Sequence, residues 1–318
     1  MKIYLASVRG SGYSAEVEGY FTRDSTPFEK EVFRNCKNIL ESYLYMDKGE
    51  KSKIVRGLLL GRKIVLDSGA YSAKAKGINI DIDDYISFIY KYKNSFRHVV
   101  NLDVIQDPKQ SLKNQRIMES NGIRPMPVYH LGSNEKYLGY YADNYDYIGI
   151  GGVRKLAPLQ MFQVMDGLWK KYLLDAEGFP KVRVHGFAIT RLSPLWRYPW
   201  FSVDSSAWVK QSGAGALPVF SHDYFNKKHP NKIRLYYVTE RTQFREKEHQ
   251  HIDTVFGRDH LELIQQVKDN NFSLERLRNS HLARAVYHFR YYQFLEKFFT
   301  QYWKDRPALV GQQHAGLF

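Results

Sequence analysis

The chain has 318 residues, a formal net charge of +14 and a single cysteine. Its length and apolar content suit one large α/β domain or two modest ones and argue against a disordered chain. One cysteine excludes an internal disulfide and any multi-cysteine zinc site, no apolar run is long enough to span a bilayer, and the positive charge favours a polyanionic partner, nucleic acid ahead of an anionic membrane.

In chain order, the first strand is predicted at 2–7. Its apolar stretch is too short for a signal-peptide core and a polar segment follows at once, so a cytoplasmic location is expected. A helical pattern runs over 28–45 and places Cys36 within it as a buried structural thiol. Further strands are predicted at 63–66, 98–102, 124–129, 147–150, 182–185, 200–203 and 216–220, with amphipathic helices at 82–92, 108–120, 134–143 and 158–174 between them. Eight strands joined by crossover helices predict a (β/α)8 barrel of the TIM type over residues 1–222. No glycine fingerprint opens a helix after the first strand, which sets a dinucleotide-binding fold aside.

After Phe220 the alternation decays. A strand at 233–238, a helix at 257–267 and one long helix at 273–303 with Ser273 as N-cap form an expected C-terminal extension, residues 223–318, packed on the barrel. The histidines of Glu248-His249-Gln250-His251 would point to different faces of a helix, so neither a metal nor any other cofactor is expected.

The chemistry gathers where strands end. Asp67, Asp103 and Asp204 each follow an apolar run, and His130, Gly149 to Gly152 and His185-Gly186 end others. A carboxylate there costs several kcal/mol unless it is solvated or partnered, so three such endings point to one shared polar site at the carboxyl ends of the strands. Ser68 and Ser205 suit helix capping equally well, and His130 and His185 each suit a hydrogen-bonded core position.

Asp67-Ser68-Gly69-Ala70-Tyr71-Ser72 resembles the Asp-Ser-Gly-Gly-Phe-Gln motif of tRNA-guanine transglycosylases, which are irregular (β/α)8 barrels. Leu102-Asp103 is similar to that family's base-reading Phe-Asp element, and Val128 to Gly132 stands where it has Val-Gln-Gly. Gly149-Ile150-Gly151-Gly152-Val153 resembles its Leu-Gly-Gly-Leu segment, and Val203-Asp204-Ser205 falls at its aspartate nucleophile. The likeness covers roughly 63–208 and departs from the tRNA enzymes in two ways: their three-cysteine zinc module has no counterpart, and His130 replaces a glutamine. The segment from Val184 to Trp208 looks like the phage and bacterial branch that places 7-deazaguanine bases in DNA.

The resemblance implies exchange of guanine in nucleic acid, DNA ahead of tRNA, for a free 7-deazaguanine base. It casts Asp204 as nucleophile and Asp67 as proton carrier. Asp103, His130, Ser68, Tyr71, His185, Gly151 and Gly152 would then bind the base. Phosphate contacts are expected from Arg276, Arg284 and Arg290, which interleave with aromatics from Tyr287 to Tyr292, and from Lys227-Lys228 in a loop before them. Two other readings stand beside this one: a non-enzymatic nucleic-acid binder, and another barrel enzyme such as a glycosidase or a phosphate-handling lyase.

Overall fold

Strand β1 (Lys2–Ala6) lies between β2 (Ile39–Ser42) and β8 (Ser202–Ser205), parallel to both. The computed structural model describes residues 1–8, 25–46, 64–153, 157–189, 191–228, 233–240, 250–254 and 257–310. With β3 (Ile64–Asp67), β4 (Phe96–Val99), β5 (Val128–His130), β6 (Tyr147–Gly151) and β7 (Arg183–Gly186), the sheet has eight strands, all parallel, in the order β4-β3-β2-β1-β8-β7-β6-β5. The sheet curls, and its two end strands do not form a continuous ladder. They meet through the single parallel bridge Val100↔Met126, with Asn101 N–H donating to the Met126 carbonyl at 3.0 Å and Met126 N–H to Val99 at 2.8 Å.

Period-two alternation sorts the side chains into two cores. Tyr4, Ala6, Leu40, Val65, Val128 and Tyr147 fill the inside of the curl. Their neighbours Ile3, Leu5, Ile39, Ile64 and Leu66 join the larger core between sheet and helices. Helices α2 (Ala70–Lys76) and α3 (Ile82–Lys91) follow β3, and α4 (Pro108–Ser120), α5 (Lys136–Asn144) and α6 (Pro158–Leu168) follow β4, β5 and β6 in turn. Among the described residues, no helix is long and apolar enough to cross a membrane.

Two strand expectations are corrected. The helix predicted over 28–45 is α1 (Pro27–Arg34), opened by a Thr26–Glu29 capping box and ended at Asn35, and the chain then enters the sheet as β2. The run predicted as the eighth barrel strand is instead β9 (Ala216–Pro218), paired antiparallel with β10 (Leu235–Tyr237) in a separate two-stranded sheet. Pro218 has no N–H to give, so the run suits a narrow ribbon and not the interior of a sheet. This pairing spans residue 222.

The long C-terminal helix is two helices, α11 (Leu274–Asn279) and α12 (His281–Tyr302), because Ser280 leaves helical geometry and its side chain caps the second by accepting from Ala283 N–H. α12 lies against β1, β9, α1 and α8 (Ala207–Gly213). Tyr287, His288, Phe289, Tyr291 and Tyr292 are all buried there, so the expected stacking face is core. Arg284 is 4% exposed and gives its guanidinium hydrogens to the carbonyls of Ser212, Leu277 and Arg278 at 2.6–3.0 Å, which corrects its assignment to phosphate. Arg276 is ion-paired with buried Glu29 at 2.6 Å, and Arg290 lies over the Phe28 ring and bonds Gln293, so both tie α11 and α12 to their surroundings. Lys227 and Lys228 end α9 (His222–Lys228) and do not form a loop. Their side chains, and His249, lie outside the described residues. Arg284→Met should lower stability by about 1–3 kcal/mol, since three carbonyls lose a charged donor; an unchanged melting temperature would contradict that structural role.

Candidate active site

One cavity of about 660 Å³ opens at the carboxyl ends of the strands, and every strand of the curled sheet or the residues just past it contribute to its wall. Ala6, Ser42, Asp67 and Asp103 come from β1 to β4, and His130, Gly151, Ala188 and Asp204 from β5 to β8. The three carboxylates read from the sequence therefore share one pocket. His130, Gly151, Gly152 and Tyr71 line it too, whereas Ser68 and His185 do not.

Asp204 reaches the cavity by strand alternation. Val203 belongs to the outer core and Ser205 hydrogen-bonds Tyr292 of α12 at 2.9 Å, so the residue between them faces the interior. One carboxylate oxygen is anchored: Oδ1 accepts from Ala188 N–H at 2.8 Å and lies 3.3 Å from His185 Nε2. Ala188 holds a left-handed φ of 55° to aim that amide, a conformation that costs a non-glycine residue on the order of 1 kcal/mol. His185 is fully buried, under the pocket and behind Asp204, so its expected contact with the base is corrected to a contact with the carboxylate.

Asp67 ends β3 and accepts from Gly69 N–H at 3.0 Å. Gly69 has φ 83°, and a Cβ there would sit 2.3 Å from Ser42 Oγ, so this tight turn needs glycine. Burial, and after it the negative charges of Asp103 and Asp204, push the Asp67 carboxyl up to about 7. It can therefore hold or release a proton near neutrality.

Asp103 follows the end of β4 in a loop fastened to α4, where Asn114 donates to the Leu102 carbonyl at 2.7 Å and Ser111 Oγ accepts from Val104 N–H at 2.8 Å. Its Oδ2 is bonded by His130 Nε2, and Ser68 Oγ lies 3.5 Å from Oδ1. Ser68 is thus a support under Asp103; its hydroxyl also accepts from Ala70 N–H at 3.4 Å, but the N-cap of α2 is Gly69, so Ser68 is not the cap it was expected to be. Opposite His130 in the register, Gly151 leaves room for the imidazole: a Cβ there would come within 2.8 Å of Nδ1. Gly152 turns the chain away at φ 83°. Asp103 and His130 consequently meet the cavity as a hydrogen-bonded pair.

Tyr71 is 61% exposed and Tyr45, 39% exposed, joins it in the lining, with Lys76 Nζ 4.5 Å over the Tyr45 ring. Tyr45, Ser42 and Glu41 were missed in the sequence because β2 was read as helix. Phe187 and Ala188 were missed as well, and Gly149 carried a signal for the first: a Cβ there would lie 2.5 Å from the Phe187 ring. Among the described residues, no group of three or more His, Cys, Asp or Glu side chains is arranged to hold a metal ion.

No protein-family model matches the chain, and no curated protein matches it either.

Proposed function

We propose that the curled sheet is an irregular TIM-type barrel and that its pocket exchanges guanine in nucleic acid for a free 7-deazaguanine base. The observation that carries this reading is one pocket holding an anchored carboxylate, Asp204, beside a carboxyl that titrates near neutrality, Asp67. Retaining glycosyl transfer needs such a pair, an anionic nucleophile and a proton carrier.

In the first half-reaction Asp204 bonds to C1′ as the C1′–N9 bond of guanosine breaks, and Asp67 gives its proton to the leaving guanine. In the second, Asp67 takes the N9 proton of the incoming base, that nitrogen bonds to C1′ and Asp204 leaves. No redox partner is required, and the acid ends as it began. Asp103 and His130, bonded to each other in the pocket wall, then read the polar edge of the base, and Tyr71 stacks beside it. The target base must leave its stack to reach a cavity of this depth, at a cost of a few kcal/mol.

DNA is favoured over tRNA because the chain departs from the tRNA enzymes at the zinc module and at His130. Incubation with labelled guanine and either guanine-bearing DNA or tRNA tests both points. Label should enter DNA. Entry into tRNA alone would reverse the choice of polymer, and entry into neither would overturn base exchange in favour of another barrel chemistry.

A further inference from the structure

We propose that Tyr147, Ser202 and His185 form a one-way hydrogen-bond chain that fixes His185 as its Nε2–H tautomer and makes it a positioning residue for Asp204. The functional half of this rests on Asp204 being the reacting carboxylate; the tautomer does not. Three contacts run in line. The Tyr147 hydroxyl is 2.5 Å from Ser202 Oγ, Ser202 Oγ is 2.7 Å from His185 Nδ1, and His185 Nε2 is 3.3 Å from Asp204 Oδ1. All three residues behind Asp204 are buried.

The direction follows from what each group can do. A carboxylate only accepts, so the hydrogen between His185 and Asp204 belongs on Nε2. A neutral ring with Nε2–H leaves Nδ1 as an acceptor, so the Ser202 hydroxyl donates to it. Ser202 has then spent its only hydrogen and accepts from Tyr147, whose hydroxyl starts the chain. The other tautomer would set Nε2 and Oδ1, two acceptors, against each other out of water. The ring has little freedom to escape this, because Phe187, Tyr4 and Tyr147 surround it with centroids at 4.4, 5.9 and 6.4 Å.

A serine, a histidine and an aspartate in line invite comparison with a serine hydrolase, but the order is turned round. Ser202 is wholly buried and lies outside the pocket lining, while the aspartate faces the cavity. Ser202 is therefore the far end of a support and not a nucleophile. With Oδ1 held by the Ala188 amide and by His185, Oδ2 is the oxygen left for attack.

The test reads the tautomer directly. In ¹⁵N-labelled protein, long-range ¹H–¹⁵N correlations of His185 should show Nε2–H in the wild type. Asp204→Ala removes the acceptor that sets the tautomer and should introduce the Nδ1–H form, whereas Ser202→Ala should keep Nε2–H and move the Nδ1 resonance downfield, because that nitrogen loses its donor. In the exchange assay Ser202→Ala should lower kcat on the order of 10- to 100-fold with KM little changed, since the pocket wall is untouched. Nδ1–H or an imidazolium in the wild type, Nε2–H alone in Asp204→Ala, or an Nδ1 resonance that Ser202→Ala does not move would overturn the chain. A wild type that shows Nε2–H but exchanges no base would instead leave the chain standing and remove the transglycosylase reading.

Discussion

Asp204→Asn is expected to reduce base exchange on the order of 10³-fold or more and to abolish covalent trapping of the nucleic acid, while binding of that polymer stays the same or tightens. The amide has nearly the shape of the carboxylate, and its oxygen can still accept from the Ala188 N–H that bonds Oδ1 at 2.8 Å. What it lacks is a negative charge to stabilise the oxocarbenium-like transition state and an oxygen nucleophilic enough to bond to C1′. Binding should not suffer, because a carboxylate repels an approaching phosphate chain. Denaturing gels would reveal the trapped adduct, and labelled guanine would give the rate. Exchange at the wild-type rate in Asp204→Asn would take Asp204 out of the mechanism. If the protein is instead only a binder, neither assay registers anything in either form, and the substitution shows in affinity alone.

The parallel α/β pattern was legible because most of its strands are short apolar runs bounded by helices of clear period, as from β3 through β8. The two failures have different causes. Four residues, Ile39 to Ser42, are too few to display an alternation of their own, and next to an amphipathic helix they extend its pattern by accident. Local signals pointed the other way: Thr26 and Glu29 mark a helix start, and Asn35 and Asn38 mark its end. At the other edge, 216–220 has strand composition, but composition does not say which sheet a strand joins, and only Pro218 argued for a ribbon.

The site was legible for a different reason. Carboxylates at strand ends stand out against apolar runs, and in a parallel sheet such ends converge whatever the details of register. Support could not be read in the same way. His185 and His130 look alike in the sequence, yet alternation and the twist of the sheet put one beneath the pocket and the other in its wall. The basic and aromatic residues of α12 were the most misleading, because a buried arginine that caps carbonyls and an exposed one that grips phosphate have the same local pattern. Arg284 is decided by the carbonyls of Ser212, Leu277 and Arg278, one of which lies 72 residues away in the chain.

Asp67→Asn should stabilise the fold above neutrality and destroy activity. In the native chain the Asp67 carboxyl is pushed from 3.8 up to about 7, first by burial and then by Asp103 and Asp204. Between those two values the folded state holds a proton that the unfolded chain has released, so the unfolded state binds fewer protons and stability falls as pH rises through the window. Above about pH 7 the carboxylate is charged in both states and the full penalty remains, roughly 2–4 kcal/mol once the carboxyl's contact with the pocket is allowed for. Asparagine escapes this penalty and keeps an oxygen for the Gly69 amide. The melting temperature of the variant minus that of the wild type should therefore be small near pH 4, grow up to about pH 7 and level off at about 3–6 °C at pH 8. A gain that does not change with pH would mean that packing, and not ionisation, set the difference. Activity should move the opposite way, since the asparagine carries no exchangeable acid for the leaving guanine. A group destabilised in its charged form and required for proton transfer gives one substitution two opposed effects, and a stabilised but inactive variant would identify Asp67 as a residue kept for chemistry at the expense of the fold.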